Sequence, residues 1–508
     1  MKFFPALAAL CAIGIAVAGC SAGHTAGYVG RDTALTADSP IVLGLSTAPS
    51  SLDFTRNSGA AIPEALMGNV YEGLVRIDAS GAVQPWLAES WDVDSTQKIY
   101  TFRLRHGVSF SNGAPFNADS AKFSLDRVRT DAWTNGNKSL MSPIADAEVL
   151  DDYTLRVTLS QASQRWLWAL GLFPGAMMSP SGIDTLQTNP IGTGPYTVSN
   201  FAAGLSISLT PNENYWGPKP SNNGVTLRYF SDATGATNAL QSGDIDAVYA
   251  MQAPELLDTL KARGIYSIDV GSTNGELLLS MNNRRAPFSD KRVRQAVMYG
   301  VDRQAVIDTA WYGYGIDTGG TPVAPTDPWY EKSTEYPFDP AKAKELMQEA
   351  GAVGTHITLA VPSRPYATAA AEILISQLRD IGFDVSIQSV EFPAVWLQQV
   401  FKSADYDMSL IVHAEPRDVT TIFGNPSYYI GYDNAAVRDE FAAADQADYP
   451  TMVAEMRKAV DMIMDDAAAD NLFNFPNIVV RAPGITGINP SSPTGTLEAA
   501  SIRREGGT

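Results

Sequence analysis

"HITLAVPSRPYATAAAEILISQLRDIGFDVSIQSVEFPAVWLQQVFKSADYDMSLIVHAEPRD", His356 to Asp418, decides the fold. Three short apolar runs, "HITLAV", "FDVSIQSV" and "YDMSLIV", alternate with two helical stretches, "YATAAAEILISQLRDIG" and "PAVWLQQVFKSA". This is a β-α-β-α-β order, and right-handed crossovers make its strands parallel. In open α/β sheets, ligands bind beyond the carboxyl ends of the strands. The last run ends there in His413, Glu415, Arg417 and Asp418, both charge signs in one short loop. "VPSRPY", with Arg364, and "VEFP", with Glu391, follow the other two strand ends, and Asn282 closes the run "ELLLSMN". These polar groups are expected to gather at one edge of one sheet. For any single one of them, a solvated loop with a local salt bridge is the plainer reading.

Upstream, "FSDKRVRQAVMYGVDRQAVIDTAWYG" reads as a long helical region starting near Ser289, and "DPAKAKELMQEAG" as a helix stopped by Gly351. The first half mixes strands and helices without simple alternation. "KIYTFRL" and "YTLRVTL" alternate apolar and polar residues as half-buried strands do, and "NADSAKFSLDRVR" between them opens on a capping residue. Near the C-terminus, "NFPNIVVRAP" is again strand-like.

The chain has 508 residues, too many for one compact core, and a formal charge of -19. A net acidic surface repels phosphate backbones, which argues against nucleic acid as a partner. Both cysteines, Cys11 and Cys20, fall in the first twenty residues, so the body has no disulfide, thiol nucleophile or CxxC metal site. Lys2 followed by "FFPALAALCAIGIAVAGC" reads as a secretory signal. "VAGC" resembles the bacterial lipobox, which implies lipid attachment at Cys20 and cleavage before it. Ser21 to Ser39 is small and polar, a flexible tether. Together these give an exported, membrane-anchored, extracytoplasmic protein.

Catalytic chemistry is hard to assemble. There is no GxSxG or HExxH, the SxxK match at Ser95 and Lys98 lies in a turn, and no glycine-rich stretch has nucleotide-loop spacing. Of the four histidines only His413 sits at a plausible cleft. No cofactor and no resident metal are expected.

"VYEGLVRID" (Val70 to Asp78), "QPWLAESWDV" (Gln84 to Val93), "YTFRLRHGVSFSNGAPFNADSAKFSLDRV" (Tyr100 to Val128), "PIGTGPYTVSNF" (Pro190 to Phe201), "NENYWGPKP" (Asn212 to Pro220), "LQSGDIDAV" (Leu240 to Val248) and "MNNRRAPFSDKRVRQAVMYGVDRQAVI" (Met281 to Ile307) carry a resemblance, as does "FDPAKAKELMQEAG" (Phe338 to Gly351). The chain resembles the bacterial extracellular solute-binding proteins of family 5, the peptide, nickel and opine group serving ABC importers. The resemblance implies an α/β, two-lobe periplasmic-binding-protein-like fold of type II, with an extra subdomain inserted in lobe I. The implied divisions are signal peptide 1–19, tether 20–39, lobe I at 40–80, 190–273 and 479–508, extra subdomain 81–189, and lobe II 274–478. Ligand should be trapped between the lobes of a monomer and handed to a membrane permease.

In peptide binders of this family a Trp-rich strand end carries an Asp that pairs with the peptide amine. Here His413 stands about where the Trp would be and Pro416 about where the Asp would be, flanked by Glu415 and Asp418. The expected ligand-binding set is therefore His413, Glu415, Arg417, Asp418, Arg364, Asn282 and Tyr314, for a short peptide or similar zwitterion. A metal-chelate or opine receptor, with His413 as axial ligand, is an alternative. So is a saccharide receptor stacking sugars on Trp311, Tyr312, Tyr314, Trp329 or Trp396, although Trp311 and Trp396 have core spacing. A secreted hydrolase is the alternative from another class.

Overall fold

A computed structural model describes residues 39–57 and 59–505. The expected signal segment, Cys20 and the tether up to residue 38 lie outside the described residues. Among the described residues, no helix is long and apolar enough to cross a membrane.

The quoted stretch folds as three parallel strands. His356–Pro362 pairs with both Asp384–Val390 and Met408–His413. Helix Pro365–Asp380 joins the first two, opening on a proline whose missing N–H would have no helical partner. Its buried residues Ala367, Ala370, Ala371, Leu374 and Leu378 recur at helical spacing and make the stripe that lies on the sheet. The second crossover is anchored by Trp396, buried with its indole N–H donating to Ser409 Oγ at 3.1 Å.

Beyond Met408–His413 the sheet changes direction. Strand Ser267–Met281 runs antiparallel to it, and Ala469–Arg481 runs antiparallel in turn to Ser267–Met281. These two long strands cross from one half of a ten-stranded sheet to the other. On the far side they meet Ala247–Val248, followed by Ile41–Leu45, Val225–Tyr229, Ser206–Pro211 and Tyr196–Ala202. Their mutual register slips between Ser272 and Glu276, so the ladder is interrupted at the crossing. Two chain crossings between two half-sheets make a two-lobe α/β fold, as the resemblance implies.

Each lobe has its own core. In lobe II, Leu277, Leu279 and Met281 point to one sheet face and join helix residues such as Leu374 and Leu378. Leu278 points to the other, with Trp329, Trp396 and Ile411. A separate four-stranded antiparallel sheet is built from Ala88–Val93, Ile99–Leu104, Thr154–Leu159 and Ile144–Asp151. Tyr100, Phe102, Leu155 and Val157 fill its buried face, as their alternation predicts. Helix Ala118–Val128 covers it, capped by a reciprocal Asn117–Ser120 pair.

The long helical region at 288–313 is two helices, Lys291–Gly300 and Arg303–Trp311, rather than one. The cap of the first is Asp290, not Ser289. Val301 is extended, and Asp302 caps a second start by accepting from the Ala305 N–H. A capping carboxylate inside an apolar pattern breaks it into two.

Candidate ligand-binding site

The loop after Met408–His413 lies against the other lobe's side of the molecule. Arg417 has φ of 56°, left-handed backbone that costs a non-glycine residue about 1–2 kcal/mol. Its guanidinium lies 4.1 Å from the ring centre of Trp168 and 4.8 Å from that of Trp329. It donates to the Gly81 carbonyl at 2.7 Å, and its Nε is 3.9 Å from Asp327 Oδ1. Trp168, in helix Gln164–Ala169 beside the small sheet, donates its indole N–H to the same carbonyl at 3.2 Å. Gly81 has φ of 77°, and a Cβ there would meet Pro328 and the Thr326 carbonyl at 3.2 Å. The left-handed backbone together with this close approach of the two loops favours glycine.

A second tie runs beside the first. Asp445, in helix Ala435–Gln446, accepts from Ser163 Oγ at 3.0 Å and from the Arg165 N–H at 2.8 Å. Between the two ties lies a cavity of about 220 Å³ lined by Arg165, Trp329, Arg417, Thr420, Met452 and others. The lobes are thus held closed by polar contacts around a partly apolar space.

Towards the crossing strands the chemistry turns acidic. Glu276 pairs in register with His413 on one side and Asn474 on the other. Directly opposed residues share a sheet face, so His413, Glu276 and Asn474 form one row. Glu276 is 3% exposed, and its Oε2 has no hydrogen-bond partner among the described residues; the same holds for both amide atoms of fully buried Asn474. Burial pushes the Glu276 carboxyl well above its ordinary value, and Asp418 and Asp327 push it further. Burial likewise raises Asp418, reinforced by Asp327 and Glu415, and lifts Asp327 to about 7 against the pull of Arg417. Burial lowers His413 to about 4, so its ring is neutral at pH 7. Its Nε2 is 2.9 Å from the Tyr429 hydroxyl, and its Nδ1 is 3.8 Å from Asp418 Oδ2.

The family profile described as "Bacterial extracellular solute-binding proteins, family 5 Middle" matches residues 82–437. The chain belongs to this family. Family 5 members are the extracytoplasmic solute-binding components of ABC importers, and substrate binding for transport, not catalysis, is their common role. The "Nickel-binding periplasmic protein" of Escherichia coli K12 is 32% identical over 360 residues, 65% of this chain and 67% of that protein. The "Glutathione-binding protein GsiB" of Escherichia coli O1:K1 / APEC is 28% identical over 383 residues, 72% and 74% of the two chains. Among solved structures, NikA from Brucella suis in complex with Fe(III)-EDTA aligns with a TM-score of 0.80 at 25% identity, covering 91% of this chain and all of that one. The peptide-bound DppA of Helicobacter pylori aligns with a TM-score of 0.75 at 24% identity, over 92% and 98%, a likeness of fold. The family fold is the type II two-lobe arrangement described above.

Of the residues singled out in the sequence, His413, Arg417 and Asp418 come together in this family 5 cleft, with exposed Glu415 beside them. Arg364 is exposed, its guanidinium 4.8 Å from the Phe392 ring centre. Tyr314 is tied up by Lys261, whose ammonium donates to its hydroxyl and lies 4.8 Å from its ring centre. Asn282 is not at the same sheet edge. Its strand runs antiparallel to Met408–His413, so Asn282 lies by Asp407, donating its amide to the Ala404 and Tyr406 carbonyls, each at 3.0 Å. The same reversal brings Glu276, the first residue of the run "ELLLSMN", to His413. Trp168, Asp327, Asp445 and Asn474 were also missed. A carboxylate opening the apolar run 277–281 was the one signal that marked Glu276.

Proposed function

We propose that the protein is a lipid-anchored receptor, held to the membrane through Cys20, that traps short peptides or similar zwitterionic solutes and delivers them to an ABC permease. One observation carries the choice of ligand. The closed cleft holds Glu276 and Asp327 buried and Asp418 half-buried, three carboxyls against two guanidinium groups, Arg417 beside Asp327 and Arg165 acting on Asp418, with a neutral His413. A buried excess of carboxylate is costly unless a cation joins it. A peptide brings an ammonium group, and its carboxylate can face Arg165, which lines the cavity. The glutathione and peptide ligands named for relatives fit this class.

The nickel relative favours a metal-chelate reading. Against it, the His413 Nε2 already meets the Tyr429 hydroxyl at 2.9 Å, and among the described residues no group of three His, Cys, Asp or Glu is placed to hold a metal ion. Mass spectrometry of the solute carried through purification tests the proposal. It expects peptides or amino-acid conjugates; a nickel or iron chelate recovered in stoichiometric amount overturns it in favour of the chelate. The monomeric state expected of such a receptor is read from the same preparation by light scattering.

A further inference from the structure

Glu276 and Asn474 sit side by side where the crossing strands pass between lobes. An unmet buried polar group costs about 1–3 kcal/mol, and more when charged. Here a carboxylate oxygen and a whole carboxamide are unmet in adjacent positions among the described residues. Their neighbours do not relieve them. Asp418 and Asp327 add negative potential, Arg417 is drawn off between two indole rings towards Gly81, and His413 carries no charge at pH 7.

We propose that Glu276 and Asn474 form the subsite that receives the ligand's ammonium group, in place of a carboxylate on the 413–418 loop. This rests on the reading that the ligand carries an amine. The donor set specifies an N-terminal aminoacyl unit. Glu276 Oε2 and Asn474 Oδ1 accept from the ammonium, and Asn474 Nδ2 donates to the first carbonyl of the chain. Such a site lies on the rigid crossing strands, so it reads charge at the point about which the lobes move. The charged loop then closes over the ligand instead of anchoring it.

Glu276→Gln, Asp418→Asn and Glu415→Gln are tested against a random tripeptide mixture and its N-acetylated twin, by thermal shift and then calorimetry on the tightest component. Wild type should prefer the free-amine mixture by tenfold or more. E276Q should lose at least tenfold on free-amine peptides and change less than about twofold on acetylated ones, since 1.4 kcal/mol is one decade. If E276Q binds like wild type while D418N or E415Q loses the preference, the hinge subsite is refuted and the peptide reading stands. If wild type responds to neither mixture, the peptide reading fails, and the co-purified solute decides the subsite. A solute bearing an ammonium or other cationic group, retained by wild type and lost from E276Q, supports it; a solute with no cationic group refutes it. Urea unfolding of unliganded protein gives a check that needs no ligand. E276Q should be at least as stable as wild type, because the carboxylate is unmet; a clearly less stable E276Q refutes the proposal.

Discussion

Arg417→Met should open the molecule. The substitution keeps the aliphatic stem and deletes the guanidinium. Lost with it across the lobes are one charged hydrogen bond to Gly81, worth about 1.5–3 kcal/mol, and the contact with the face of Trp168, worth about 0.5–2 kcal/mol; the Trp329 contact lies within lobe II and does not bear on closure. Part of that gross gain is offset by the cost of drying a guanidinium. A net shift of the open–closed balance by about 2–3 kcal/mol is expected, roughly 30- to 150-fold. Every ligand should weaken by one common factor, up to that size and set by the fall in the closed fraction, because the loss is of closed protein and not of a ligand contact. Small-angle scattering of the unliganded variant should show a larger radius of gyration. Calorimetry should show equal losses for a tripeptide and its C-terminal amide. Trp168→Ala, a change on the opposite side of the contact, should reproduce both effects. The reasoning is refuted if R417M weakens the free acid but not the amide, for then Arg417 clamps a ligand carboxylate. It is refuted as well if radius and affinities stay at wild-type values.

Four further outcomes are expected. Cys20→Ser should release mature protein from the membrane fraction or leave unprocessed precursor; processed, membrane-bound C20S protein contradicts lipidation. A ligand at a hundredfold excess over its dissociation constant should stabilise the fold by about 2.7 kcal/mol and compact any open population, as seen by denaturant titration and scattering. The His413 ring should titrate near 4 by proton NMR, against an ordinary 6.5. Unfolding restores the ordinary value, so this histidine's contribution is complete above 6.5 and is lost as pH falls towards 4, by about 3 kcal/mol; a measured value near 6.5 refutes the burial argument. Arg303→Leu should destabilise the protein by about 3–5 kcal/mol in urea, because it strands fully buried Asp470, whose Oδ1 lies 2.7 Å from Arg303 Nε; a loss below about 1 kcal/mol would show the pair is not needed.

Periodicity carried the fold because burial acts on whole faces. Tyr100, Phe102, Leu155 and Val157 alternate because one side of a sheet is dry, and the helix at 365–380 repeats its alanines and leucines for the same reason. Sites answer to direction as well as pattern, and direction between sequence-distant strands is not written in either strand. The run 276–282 reads as a strand whichever way it points. Taken as parallel to 408–413, it offers Asn282 to the cleft; paired as it is, it offers Glu276. Right-handed crossovers fix the sense of strands joined by one helix. They are silent for a strand that enters lobe II from lobe I, as Ser267–Met281 does. Arg417 shows the other limit. Its charge and its loop were visible, but its partners Gly81, Trp168 and Trp329 are 336, 249 and 88 residues away in the chain. Lobe closure brings Gly81 and Trp168 to it, so a residue expected from the sequence to bind ligand spends its hydrogen bond and its two ring contacts on the protein itself.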